Sequence, residues 1–298
     1  MRTADGSTGF RLFTSVTAKG LSARQAGLAS AVLCLFIITV AASAQESGDE
    51  PVFNPADLTA AASHIEVMPE YNQADEYSAS LLRFIYDLDW AEGKYSITTE
   101  VPYGEVDFDD GKTGSGLGDI RLRYFHRLIQ AENPEAKLQN MVFSLDAFLP
   151  TGDSGEGLGL GTFLLAPTLI FNLPLSERWS FYPTPKFKFS TSKTEARSSA
   201  FPPGKNPIPG REEEEYIRAF EIETYFSYMS PKVWWIFFDP VIEWDLEPEP
   251  DEDNYEATFK SQIGKMWGRW GLGLEGTFFV AGEKTQDYQA RVIFFYYF

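Results

Sequence analysis

From about residue 60 to its end the chain is a succession of segments in which apolar and polar residues alternate with a period of two. That period gives each segment one apolar and one polar face, as on a β-strand. The clearest case is Ile120–Tyr124: Ile120, Leu122 and Tyr124 share one face, and Arg121 and Arg123, continued by Arg127, share the other. Met141, Phe143, Leu145 and Leu149 alternate with Asn140, Ser144 and Asp146, and Phe187 and Phe189 alternate with Lys186, Lys188 and Ser190. Twelve such segments are predicted: 60–71, 78–90, 94–106, 117–129, 138–149, 160–173, 178–191, 215–229, 233–246, 254–266, 269–281 and 287–298. Beyond residue 44 no apolar run reaches the ~20 residues of a membrane-spanning helix.

The connections carry a second pattern. After even-numbered segments they are short, as at Ala91-Glu92-Gly93, Asn133-Pro134 and Ser230-Pro231-Lys232. After odd-numbered segments they are mostly longer and rich in Gly, Pro and acid, as at Asp107–Gly116, Pro150–Gly159, Ser192–Glu214 and Glu247–Asn254. Alternating strands of ~10 residues in even number, with short turns opposite long loops, predict an all-β fold: an antiparallel up-and-down transmembrane β-barrel of about twelve strands. Trp90, Trp179, Trp234, Trp235, Trp267 and Trp270 fall at the short-turn ends of these strands, where an aromatic girdle at the periplasmic headgroup level is expected. A soluble β-sandwich also alternates, with its polar face outward. The last segment favours the barrel: Ala290, Val292, Phe294, Tyr296 and the terminal Phe298 form one uninterrupted apolar face, which resembles the signal read by the outer-membrane barrel-assembly machinery.

The N-terminus reads as an export signal. Residues 1–27 carry Arg2, Arg11, Lys19 and Arg24 against Asp5, the apolar run Leu28–Ala44 follows, and it closes on Ala42-Ser43-Ala44. Cleavage there divides the chain into a signal peptide (1–44), a short periplasmic segment (45–59) and the barrel (60–298), in the Gram-negative outer membrane with lipid and lipopolysaccharide as surroundings. It also removes the single cysteine, Cys34, and takes the net charge from −18 to −21. So acidic a chain repels a phosphate backbone, which argues against nucleic acid as a partner. With two histidines and no mature cysteine, no metal site or other cofactor is expected.

Two stretches carry a family resemblance. Gly114-Ser-Gly-Leu-Gly-Asp-Ile-Arg-Leu-Arg-Tyr-Phe125 is one; Phe148-Leu-Pro-Thr-Gly-Asp-Ser-Gly155, followed by Gly157-Leu-Gly-Leu-Gly161, Pro167 and Leu175-Ser-Glu-Arg-Trp179, is the other. Together they resemble the outer-membrane family called "putative MetA-pathway of phenol degradation", a resemblance spanning residues 60–298. It implies an outer-membrane transporter, and the family's name implies uptake of aromatic compounds. Read as physics, the glycines of 114–118 and 157–161 lack the strand–loop–helix setting and the lysine of a nucleotide loop, and belong to rim loops.

If the strand parities hold, the polar face lines the lumen. Its candidate selectivity residues are Arg121, Arg123, Arg127, Lys186 and Lys188 on one sector, and Glu221, Glu223, Asp239 and Glu243, with Asp245, on another. Opposed charged walls would set up a transverse field. The plainer alternative is a salt-bridge network, with Arg121 and Arg123 paired to Glu100 and Asp146 on neighbouring strands. The leading functional reading is a passive channel for small solutes, with a non-conducting structural or surface-interaction barrel as the second. A lipid hydrolase is the third and is disfavoured, because His126 and Ser144 fall on opposite faces. Acidic loops at 107–110, 212–215 and 249–253 read as solvated rather than metal-binding.

Overall fold

A computed structural model of the chain describes residues 54–55, 57–194, 216–230, 234–246, 254–282 and 286–298. It contains thirteen strands: β1 (His64–Gln73), β2 (Tyr77–Trp90), β3 (Tyr95–Phe108), β4 (Thr113–Leu117), β5 (Ile120–Gln130), β6 (Asn140–Leu149), β7 (Leu164–Pro174), β8 (Trp179–Ser190), β9 (Arg218–Met229), β10 (Trp234–Asp245), β11 (Tyr255–Trp267), β12 (Trp270–Gly282) and β13 (Tyr288–Tyr297). Each ring strand pairs antiparallel with the next, β3 pairing with β5, and β13 returns to pair with β1, His64 facing Tyr297 and Gln73 facing Tyr288. Twelve strands thus close a ring, and β4 stands outside it, paired only with β3. Closure removes the exposed edges that an open sheet would leave in lipid, where no water can satisfy backbone groups.

The period of two decides which side chain goes where. On β2 the inward series Tyr77, Ala79, Leu81, Arg83, Ile85 and Asp87 is buried, while Phe84, Tyr86, Leu88 and Trp90 point out and are exposed. The outer surface is apolar all round, with Ile97, Leu122, Leu169, Phe187, Phe238, Ile263, Leu274 and Phe278 exposed. The interior holds most of the buried charge, including Glu70, Arg83, Glu100, Asp146, Glu221 and Asp239. An apolar outside and a charged inside invert the soluble pattern and match a barrel solvated by lipid.

The twelve expected strands are all present, with one reorganisation. The stretch Asp107–Gly116, expected as a long outer loop, is a hairpin: β3 runs to Phe108, a four-residue turn with Gly111 at φ +84° reverses the chain, and β4 pairs back along β3. β4 and β5 are one strand broken at Gly118-Asp119, where the register against β3 slips by one residue. Glycine-rich sequence hid this strand, because Gly114 and Gly116 give no alternation to read.

Candidate functional site

The lumen is built as a belt of ion pairs. Arg121 on β5 meets Glu100 on β3 at 2.5 Å, and Glu100 also takes Arg83 of β2 at 2.5 Å. Arg83 continues to Glu70 on β1 at 2.8 Å, Glu70 to Arg291 on β13 at 2.6 Å, and Arg291 to Glu275 on β12 at 2.8 Å. Six neighbouring ring strands are tied in one chain. A second group spans β8 to β11: Lys186 contacts Glu221 and Glu223 at 2.5 and 3.1 Å, and Lys188 contacts Glu221 and Glu243 at 2.6 and 2.7 Å. Lys260 holds Asp239 at 2.8 Å. Between the groups, Arg123 grips both oxygens of Asp146 on β6, at 2.6 and 2.9 Å. Only β7, Leu-Leu-Ala-Pro-Thr-Leu-Ile-Phe-Asn-Leu-Pro, contributes no charge to the ring.

Within this belt lies a cavity of about 530 Å³, lined by residues of all twelve ring strands. Aromatic residues narrow its half at the short-turn end. Trp235 is 0% exposed and packs with Met68, Ile85, Phe237, Met266, Ile293 and Phe295 inside the barrel. Glycines make the room: a Cβ on Gly264 would lie 2.0 Å from the Trp235 ring, and one on Gly271 would lie 1.9 Å from the Phe295 ring. The chain before β1 enters the same mouth. Thr59 is fully buried, and its hydroxyl accepts hydrogen bonds from Asn140 of β6 and Asn172 of β7 at 3.0 and 3.3 Å. Four residues later Ser63 bonds Asp89 at the end of β2. The ring order sets β6 and β7 far around the wall from β1 and β2, so residues 59–63 cross the opening.

The opposite mouth is shaped by the loop after β6. Asp119, in the break between β4 and β5, accepts the backbone N–H groups of Gly152 and Leu160 at 2.9 and 2.8 Å. Burial pushes its carboxyl up to about 6, against the charge-favouring pull of the Leu160, Gly152 and Thr151 N–H groups. Leu158 is drawn in and packs on Ala74, Tyr77, Ala79, Leu81 and Val106. The Pro150-Thr-Gly-Asp153 turn and the glycine run that follows are therefore an ordered rim inlay, with Asp153 capping the short turn 154–156.

Three sequence expectations are corrected. Trp235 leaves the girdle for the interior, because β10 starts at Trp234 and the period of two puts consecutive tryptophans on opposite faces. The basic and acidic sectors do not oppose one another across the lumen: Lys186 and Lys188 on β8 sit beside Glu221 and Glu223 on β9, so the transverse field collapses into local pairs. Arg127 lies beyond the belt, where its guanidinium donates to the Glu92 carbonyl in the β2–β3 turn at 2.7 Å. Arg121 and Arg123 take the partners Glu100 and Asp146 that the network alternative named.

Other expected residues lie as follows. Trp90, Trp179, Trp234 and Trp267 are exposed at the short-turn end, and Trp270 packs against Tyr296 with the rings tilted, 4.5 Å between ring centres. Phe294, Tyr296 and Phe298 share the outer face, and Phe298 lies against Tyr86. His126 stacks on Tyr95 outside the barrel, while Ser144 is buried inside. The acidic stretches at 212–215 and 249–253 lie outside the described residues. Among the described residues no group of three His, Cys, Asp or Glu is arranged to hold a metal ion. Sequence reasoning missed Thr59, Asn140, Asn172 and the glycines under the aromatic rings, whose partners come from distant strands.

Comparison with known proteins fits this geometry. The family described as "Putative MetA-pathway of phenol degradation" matches residues 74–202, bearing out the resemblance carried by the two glycine-rich stretches. A crystal structure of an outer membrane channel from Pseudomonas putida F1 superposes with a TM-score of 0.60 at 13% identity, covering 85% of this chain and 99% of that one. The NanC porin superposes with a TM-score of 0.53 at 6% identity, covering 80% of this chain and 100% of the porin. At such identities the likeness is one of fold. The comparison with curated proteins gives no match.

Proposed function

We propose that this chain, which carries the phenol-degradation family's sequence over residues 74–202, is an outer-membrane channel through which small solutes pass passively. The observation that carries the reading is the continuous cavity of about 530 Å³ bounded by every strand of a closed, lipid-compatible ring. A cavity that size takes one small molecule, not an oligomer. Its walls mix charged pairs with Phe125, Phe148, Phe237 and Phe295, a lining that suits small aromatic molecules carrying a polar group. Export by residues 1–44 and the outer-membrane location belong to the same reading. So does the absence of an enzymatic role, since His126 and Ser144 stand on opposite sides of the wall.

The test is single-channel recording on residues 45–298 refolded in detergent and inserted into a planar bilayer. Discrete, reproducible steps are expected, small because Trp235 and residues 59–63 narrow the periplasmic mouth. Those same features favour the second reading, a barrel that stays closed. A folded, heat-modifiable barrel that never conducts would establish it in place of the channel.

A further inference from the structure

Not every acid in the lumen has a base. Asp146, Glu221, Glu223, Glu243 and Glu275 each meet a lysine or arginine within 3.1 Å. Glu66 on β1 and Asp87 on β2 line the same cavity and, among the described residues, meet neither. Strand register brings them together near the short-turn mouth. Asp87 faces His64 and Glu66 faces Ile85, so the two carboxylates are diagonal neighbours on one inward face. Arg123, two strands further along the row of Asp87 and Thr98, is held by both oxygens of Asp146.

The two acids are satisfied differently. His64 Nε2 lies 2.8 Å from Glu66 Oε1, and His64 Nδ1 lies 2.7 Å from the Ala62 carbonyl. Both ring nitrogens thus meet oxygen acceptors, and with Glu66 ionised His64 fills both bonds only as the imidazolium. Asp87 takes the Thr98 hydroxyl on Oδ2. Its Oδ1 accepts no hydrogen bond, although the residue is only 8% exposed. A buried carboxylate oxygen without a donor is unfavourable. Together His64, Glu66 and Asp87 leave one negative charge over, on the residue whose oxygen lacks a donor.

The neighbouring wall decides what kind of cation fits. Tyr297 faces His64 across β1 and β13, and Phe295 faces Glu66. Met68, Ile85 and Ile293 pack with Phe295 and line the cavity beside the acids. A bare metal ion would leave that apolar wall unused, whereas an ammonium on a hydrocarbon body uses both halves. Its N–H groups reach Asp87 and Glu66, and its body lies against Phe295, Ile85 and the Tyr297 ring. We infer that Glu66 and Asp87 form a binding site for small primary amines in their ammonium form, with Asp87 the main anchor. The inference rests on the solute-accessible lumen of the proposed channel and names the class of solute that dwells in it.

The test is equilibrium dialysis of the mature chain, extracted from outer membranes in detergent, against radiolabelled benzylamine at neutral pH. Salt of about 0.15 M, with a screening length of about 8 Å, suppresses general attraction to an acidic chain, and empty micelles give the background. Saturable binding of one amine per barrel is expected. Benzyl alcohol, a similar body without the charge, should compete at least tenfold more weakly. Asp87→Asn, which keeps an acceptor for Thr98, should weaken benzylamine binding at least tenfold. Glu66→Gln, which keeps an acceptor for His64, should weaken it about threefold. Alcohol competing as well as amine overturns the site, as does full-strength binding to folded Asp87→Asn. Should Asp87→Asn not fold, Glu66→Gln decides, and full-strength binding to it overturns the site. Planar-bilayer recording on the same preparation separates this inference from the channel itself. Conductance steps without saturable amine binding overturn the site and leave the channel standing. Saturable, charge-dependent binding to a barrel without steps keeps the site and removes passive flow.

Discussion

At the scale of single residues, burial and charge work against each other throughout this lumen. Arg83 is tolerable inside because Glu70 and Glu100 take its guanidinium from two sides, and each carboxylate has a second arginine in reserve. Removing one member of such a pair strands the others, at a cost on the order of 3 kcal/mol, whereas the intact network adds little over a well-packed apolar interior. Among the described residues Asp119 meets no cation. It holds the loop after β6 through backbone N–H groups alone, and burial raises its carboxyl to about 6 from an ordinary value near 3.8. The folded state therefore binds this proton more tightly than the unfolded chain. Its contribution to stability is fully present below about pH 4 and is lost as pH rises through about 6. Urea unfolding of the refolded barrel in vesicles, compared with Asp119→Asn, should show the difference between the two curves changing between pH 4 and 6 and flat above 7. A difference independent of pH would mean that Asp119 is ionised throughout.

Single strands show what could and could not be read in advance. The alternation in Tyr77–Trp90 or Asn140–Leu149 fixes which residues face lipid, because one face meets hydrocarbon and the other does not. The ring count and the family resemblance of 114–125 and 148–179 were legible for the same local reason. Register across strands was not: that Lys188 meets Glu243 two strands away depends on the stagger of the closed ring, which no local spacing encodes. The interior tryptophan was obscured by its neighbour, since Trp234-Trp235 reads as one aromatic pair although the two rings lie on opposite sides of β10. Gly264 on β11 and Gly273 on β12 are the matching half of that site, leaving space for the Trp235 ring where side chains would clash. The pair makes opposite predictions. Trp235→Ala should widen the constriction and raise single-channel conductance severalfold while costing about 3–5 kcal/mol of stability. Gly264→Ala, whose methyl would overlap the ring, should force the indole further into the lumen and lower conductance. Unchanged conductance in both would place the narrowest point of the pathway elsewhere, at residues 59–63 or at the outer rim.

Over the whole molecule, electroneutrality inside the barrel is incomplete, and that residue of charge has a consequence for transport. Eight carboxylates line the cavity, Glu66, Asp87, Asp146, Glu221, Glu223, Glu243, Glu256 and Glu275, against the six cations Arg121, Arg123, Lys186, Lys188, Lys260 and Arg291. All six cations are committed to carboxylates. Paired charges on adjacent strands cancel within a few ångströms, so what a passing ion feels is the surplus, and the surplus is negative. The chain as a whole, at −18, carries the same sign. A conducting barrel should therefore prefer potassium to chloride in a salt gradient, more strongly at 0.1 M than at 1 M, where the screening length shrinks from about 10 Å to about 3 Å. Lys186→Gln with Lys188→Gln should strengthen the preference by unmasking Glu221, Glu223 and Glu243, and Glu66→Gln with Asp87→Asn should weaken it. A reversal potential of the opposite sign in the unmodified protein would mean that the permeating ion is steered by the guanidinium groups of Arg121 and Arg123 at the belt, despite their partners, and not by the sum over the walls.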